Sequence, residues 1–85
     1  MILRKGDILK YKHKNKAFAL IRFIKKTTFE NTKTIKGKYI YYPSEKEKEG
    51  QILEHFYSPN DTEELNEIGL KITKISEEEA FGEMI

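Results

Sequence analysis

Residues 17–26, with the sequence AFALIRFIKK, decide the fold because they are apolar at both sets of alternating positions. Successive side chains of a strand point to opposite faces of the sheet. The apolar residues form two sets, one for each face: Ala19, Ile21 and Phe23, and Phe18, Leu20 and Ile24. A strand that is apolar on both faces lies centrally or bends around a core. The stretch therefore predicts the middle strand of a mostly-β domain.

Four further strands are predicted around this one from β-branched and aromatic runs bounded by turn residues. The five predicted strands are 8–14, 17–26, 34–42, 51–57 and 70–75. Gly37 interrupts the third and predicts a bulge or kink. Residues 27–33 are polar apart from Phe29, which favours a loop, and 43–50 predict a charged turn.

Two segments carry the sequence signals of a helix start. Ser58 can cap, Pro59 suits the first helical position and Asp61 completes a capping box, so a short helical turn is predicted before Gly69. Ser76 and Glu79 form a second capping box, which predicts a helix over about 77–84. One face of that helix would close an end of the core through Ala80, Phe81 and Met84.

This element order resembles that of the SH3-like small barrels, which include SH3, Tudor, Sm-like and KOW-type modules. The opening Gly6-Asp7-Ile8 is similar to the start of KOW-type barrels, and the resemblance covers about residues 5–76. It implies a mostly-β fold, a five-stranded barrel with a helical turn before the last strand. The acidic C-terminal helix departs from the minimal barrel. Residues 1–85 are thus interpreted as one domain, with the barrel over about 5–76 and the helix over about 77–84.

Composition argues against most chemistries. The 85 residues include no cysteine and two histidines without companions at metal-ligand spacing, so no metal, cofactor or disulfide is predicted. No phosphate-binding, dinucleotide-binding or nucleophile-elbow motif is present, and the chain is predicted not to be an enzyme. No apolar run approaches a bilayer span, which predicts a cytoplasmic protein without membrane contact. Eleven isoleucines and a basic set dominated by lysine suggest a low-GC bacterium or its phage.

Charge is divided unevenly along the chain. Residues 1–42 contain twelve Lys or Arg against two acids, a net charge of +10, whereas 43–85 contain four lysines against twelve acids, a net charge of −8. Such asymmetry indicates either a polyanionic partner or two halves that neutralise each other in the fold. The sequence leaves both interpretations open.

The candidate binding surface centres on lysines at alternating positions of the first predicted strand. Cations on the neighbouring strands would flank this row, and tyrosines of the third strand would add exposed rings for stacking or peptide contact. Tyr39 and Tyr41 share one parity, opposite to Tyr42. The predicted binding residues are Lys10, Lys12, Lys14, Lys16, Arg22, Lys36, Lys38, Tyr39, Tyr41 and Tyr42.

Two partner classes fit these residues. We expect a small non-enzymatic module acting through protein–protein contact, as a phage or bacterial inhibitor or adaptor, with the acidic helix either as the contact or as a mimic of nucleic-acid charge. The alternative is a nucleic-acid-binding barrel that uses the lysine-rich strand and exposed tyrosines. Scarce arginine argues against base-specific recognition, and lysines on an edge strand also serve to prevent aggregation. An open edge strand would in addition allow two copies to pair as a homodimer.

Overall fold

The computed structural model describes residues 2–14, 18–59 and 69–85, which form one antiparallel five-stranded sheet and a short C-terminal helix. The strands are β1 (Ile8–His13), β2 (Phe18–Phe29), β3 (Thr32–Tyr41), β4 (Ile52–Tyr57) and β5 (Leu70–Ile75). A single 3₁₀ turn occupies Lys46–Lys48, and the helix α1 spans Glu77–Met84.

The sheet has the strand order β4-β3-β2-β1-β5, so the apolar stretch does form the central strand. Its two faces pack against two different clusters. On the core face, Ile21 and Phe23 of β2 join Leu9, Tyr11, Ile35, Tyr39 and Ile72. On the opposite face, called here the helix face, Leu20 packs with Ile8 and with Ala80 of α1. The two-sided apolar pattern is therefore explained by burial on both sides of the sheet.

The hairpin between β2 and β3 is longer than predicted. The expected loop at 27–33 is wrong, because Thr27 pairs with Thr34, Thr28 with Lys33 and Phe29 with Thr32. The turn is confined to Glu30 and Asn31, which both have positive φ angles (48° and 65°), as a tight hairpin requires. These positions are polar because this end of the hairpin is largely exposed, while threonine itself favours a strand.

The predicted closure into a barrel is wrong. β4 and β5 lie at opposite edges of an open sheet, and among the described residues neither pairs with the other. Closure would require continuous pairing around the sheet. Instead, a side chain crosses from β1 to β4, where the Tyr11 hydroxyl donates to the Tyr57 carbonyl. The sheet is bent enough for that contact, and Phe56 of β4 packs on Tyr11 with ring centroids 5.6 Å apart.

The prediction of an irregularity at Gly37 is confirmed. The β2–β3 register shifts between Phe23 and Lys25, opposite Gly37, and the β3–β4 register shifts between Ile35 and Gly37. A Cβ atom at Gly37 would lie 2.5 Å from Ile21 Cγ2 and 3.2 Å from the Arg22 carbonyl oxygen. Glycine is needed because β2 passes too close for any side chain.

The C-terminal helix begins as its capping box predicts. The Ser76 hydroxyl accepts from the Glu79 backbone N–H at 3.1 Å. The predicted apolar face is only partly correct, since Ala80 is buried but Phe81 is 64% exposed and Met84 40% exposed. A helix of eight residues can bury one small residue deeply against the sheet while its larger neighbours project past the contact.

The helical turn predicted between Ser58 and Gly69 falls mostly outside the described residues. Within the described ranges, neither helix has the length and apolar character needed to cross a bilayer.

Candidate binding surfaces

The two edges of the sheet differ in composition. On β5, the exposed side chains are Lys71, Thr73 and Lys74, and Ile72 between them is buried. Polar and charged residues on an edge strand disfavour pairing with another chain. The β5 edge is protected in this way.

At the β4 edge, large apolar side chains are exposed to solvent. Ile52 is 54% exposed, Leu53 38% and Tyr57 54%, and no described strand pairs with the outer side of β4. It contains no lysine or arginine, and its one acid is Glu54. An exposed apolar edge is a template for an added strand. Sequence reasoning missed these residues, although a lysine-free strand with an Ile-Leu pair was a signal available to it.

A cleft of about 350 Å³ opens beside this edge and is lined mainly by aromatic rings. Phe56 and Tyr57 of β4 form one wall, and Tyr11, Phe18 and Tyr42 contribute to the rest. Such a cleft offers apolar surface with a few hydroxyl groups, which is the chemistry that accepts apolar side chains of a bound segment.

The three predicted tyrosines do not form one exposed set. Tyr39 is buried in the core face, and burial raises the pKa of its phenol. Tyr41 is half-buried on the helix face against Phe18, with ring centroids 5.8 Å apart. The prediction that Tyr39 and Tyr41 share a face is wrong. Adjacent residues of β2, Ile21 and Leu20, pair with Tyr39 and Tyr41, so Ile40 has no partner on β2 and the two tyrosines lie on opposite faces.

Tyr42 lies at the rim of the aromatic cleft. Its ring packs 5.1 Å from that of Tyr39, and its hydroxyl bonds to Glu45. That hydrogen bond is the main reason the pKa of Tyr42 is raised and the pKa of Glu45 is lowered. Glu45 and the Glu49 carboxylate, which accepts from the Tyr42 N–H at 2.8 Å, thus fix this rim residue in place.

The predicted lysine row is not a continuous stripe. Lys10 and Lys12 lie on the helix face, but the Lys10 ammonium pairs with Glu83 of α1 at 2.6 Å. Lys14 follows the strand, and its stem lies against Gly69. Lys16 lies outside the described residues. Lys12 is exposed and faces Lys71 across the β1–β5 pair.

The flanking cations do come together. Arg22 and Lys38 are directly opposite each other on β2 and β3, and Lys36 is opposite Lys25 on the same face. Arg22 also pairs with Glu77 of α1 at 3.0 Å, and Lys36 with Glu54 at 3.5 Å. The basic and acidic halves of the chain therefore neutralise each other in part, at Lys10, Arg22 and Lys36.

No protein-family model, curated protein or solved structure matches this chain. The resemblance to SH3-like barrels stays a prediction. No group of three or more metal-ligating side chains occurs within the described ranges.

Proposed function

We propose that the chain is a protein-binding module that takes up an extended segment of a partner protein at the β4 edge. The observation that carries the proposal is the contrast between the two edges of one sheet. Lysines cover β5, whereas β4 exposes Ile52, Leu53 and Tyr57. A marginally stable small domain that protects one edge and leaves the other apolar has a use for the open one.

Strand addition would supply affinity and selectivity from different parts of the site. Backbone N–H and C=O groups on the outer side of β4 would pair with the incoming strand regardless of its sequence. The aromatic cleft lies next to that strand, because Phe56 and Tyr57 line it. Apolar side chains at alternate positions of the partner segment would enter this cleft and select the sequence.

The partner segment is expected to be apolar and not strongly charged. Glu54 is the one acid of β4, and it is paired with Lys36. A strand with few charges offers little electrostatic selection, so shape and apolar contact decide the fit. Interfaces of this kind lose affinity when a charge is placed in their apolar centre.

The test compares one substitution at each edge. Ile52→Lys and Thr73→Lys both place a lysine at an exposed position of an edge strand and add the same charge. Tagged wild-type and variant chains are used to capture proteins from a lysate, and the captured protein is then purified for calorimetry. We expect Ile52→Lys to weaken binding at least tenfold and Thr73→Lys to leave it unchanged.

Two outcomes would contradict this proposal. One is equal binding by wild type and Ile52→Lys, which would place the contact elsewhere. The other is a wild-type dimer in sedimentation that Ile52→Lys dissociates, which would mean that a second copy of the chain fills the β4 edge.

A further inference from the structure

A block of like charges lies on the helix face of the β2–β3 hairpin. Two directly opposed pairs, Arg22 with Lys38 and Lys25 with Lys36, place four cations side by side. These four residues are called the cation ladder. Opposed side chains of an antiparallel pair are only about 4.5–5.5 Å apart at Cβ, and like charges in that arrangement are destabilising.

Neighbouring acids neutralise only half of the ladder. Glu77 pairs with Arg22 and Glu54 pairs with Lys36. Lys25 and Lys38 are exposed and form no ion pair with any described residue. Lys25 and Lys38 therefore leave positive charge on this face that no described acid neutralises and that is available to an anionic ligand.

A backbone irregularity assembles the second pair. In a regular strand, the residue three positions after Arg22 would point to the other face. The register shift between Phe23 and Lys25 inserts Ile24, and it returns Lys25 to the face of Arg22. The bulge is thus what puts the second pair of cations in line with the first.

An exposed aromatic ring lies further along the same strand pair. Thr27 and Thr34 form the next opposed pair, with their hydroxyl oxygens 2.7 Å apart. This pair is covered by β4, because Thr34 is buried, Thr27 donates to the Glu54 carbonyl at 2.9 Å and His55 Nδ1 lies 3.4 Å from the Thr34 hydroxyl. Phe29 then follows; it is 49% exposed and packs on the His55 ring with centroids 4.7 Å apart. From Lys38 to Thr32, opposite Phe29, the face extends about 20 Å at roughly 3.3 Å per residue.

We propose that this face binds single-stranded nucleic acid, with the backbone along the cation ladder and a base stacked on Phe29. Neighbouring pairs on one strand face are about 6.6 Å apart, so the ladder forms a short row of positive charge along which a polyanionic backbone can lie. Arg22 Nη1 already donates to the Gly6 carbonyl at 2.9 Å and to Glu77 at 3.0 Å, so Lys25 and Lys38 supply the main phosphate contacts. An aromatic ring accepts any base, so binding is expected to depend little on sequence.

The experiment measures fluorescence anisotropy of labelled oligothymidine and oligouridine of about 12 nucleotides, within the range that small single-strand-binding folds cover. Salt is varied from about 50 to 200 mM. The variant Lys25→Gln with Lys38→Gln removes both unpaired ladder cations. We expect it to lower the slope of log affinity against log salt by about 1.4, since each lost contact to a single strand contributes about 0.7.

Lys12→Gln with Lys71→Gln is the matched control. It removes the same charge from an exposed, directly opposed lysine pair on β1 and β5, near the opposite edge of the sheet. The control should leave the slope unchanged. Both double variants should be at least as stable as wild type to urea, because each relieves repulsion between opposed like charges.

Two single substitutions separate stacking from charge. Phe29→Ala should weaken oligothymidine binding about tenfold, and it should leave binding of inorganic polyphosphate unchanged. Glu54→Gln should tighten oligothymidine binding, because it frees Lys36 of its counter-charge.

The proposal is overturned by any of three results: no oligonucleotide binding at low salt, equal losses in the two double variants, or polyphosphate and a polyglutamate peptide binding as tightly as the oligonucleotides. The β4 residues that it involves are Glu54 and His55 and not the exposed apolar Ile52, Leu53 and Tyr57, so different variants test nucleic-acid binding and partner capture.

Discussion

The two edges of the sheet, β5 and β4, differ in composition although both are short antiparallel strands. On the β5 side, α1 covers the neighbouring face, Lys10 pairs with Glu83, and Lys74 pairs with Asp7 at 3.2 Å. On the β4 side, apolar side chains are exposed and the outer side of the strand has no described partner. The β5 edge is therefore protected by lysines, and ion pairs tie its neighbourhood to α1 and to Asp7. The other edge is left in the state that strand addition needs.

The largest difference in stability is expected between a substitution in the central strand and the same substitution at the β4 edge. Ile21→Ala removes a fully buried side chain of β2, and we expect it to cost about 2–5 kcal/mol by leaving a cavity. Ile52→Ala removes the same atoms from the exposed edge and should change stability by less than about 0.5 kcal/mol. Urea denaturation of both variants measures the two values. Equal losses would show that the β4 edge is covered in solution.

The second-largest loss of stability is expected at Gly37, where β2 and β3 approach closely. Gly37→Ala places a methyl group against Ile21 and the β2 backbone, so it should cost about 1–3 kcal/mol through overpacking. Gly82→Ala is the matched control, since its Cβ meets nothing within 4 Å and alanine favours a helix by about 0.5–1 kcal/mol. Thermal denaturation should therefore show opposite shifts. A neutral Gly37→Ala would contradict the close approach of β2 and β3.

The smallest change in stability is expected at Asp7, which pairs with Lys74 on the β5 side of the sheet. The Arg4 backbone N–H donates to Asp7 at 2.7 Å, and this bond, with Lys74 nearby, lowers the pKa of Asp7. A carboxylate whose pKa is lower in the folded state stabilises that state above its unfolded pKa of about 3.9 and loses this contribution as pH falls through the folded pKa. The urea midpoints of wild type and Asp7→Asn should therefore converge below about pH 4.

The control for that measurement is Glu47→Gln, which removes an exposed carboxylate that has no ion pair among the described residues. Its midpoint should follow the wild-type curve at every pH. A gap between wild type and Asp7→Asn that stays constant down to about pH 2 would show that the Arg4 and Lys74 contacts do not hold the carboxylate.

Local patterns predicted the elements well. The two-sided apolar run located the central strand, and the Ser76 capping box located α1, because both depend on residues close in sequence. The hairpin at 27–33 was missed because polarity indicates exposure and does not by itself indicate a loop. Threonines at 27, 28, 32 and 34 already favoured a strand.

Longer-range features could not be predicted in the same way. Closure of a sheet depends on strand curvature and shear, which no single strand encodes. The register shift that aligns Lys25 with Arg22 lies opposite Gly37, where β2 and β3 approach closely. A separate shift between Leu20 and Ile21 of β2 places Tyr39 and Tyr41 on different faces. The pairing of Arg22 with Glu77 joins positions 55 residues apart. The sequence therefore predicted which residues are basic, but not which of them stay uncompensated.

Backbone amide exchange distinguishes strand addition at β4 from contact elsewhere, because it reports each strand separately. The chain is measured alone and with the protein that it captures, under identical conditions. Protection should rise over Ile52–Tyr57 when the partner is bound, and it should stay the same over Leu70–Ile75. Protection that rises on β5 or α1 while β4 continues to exchange as in the free chain would show that the partner does not bind at the β4 edge.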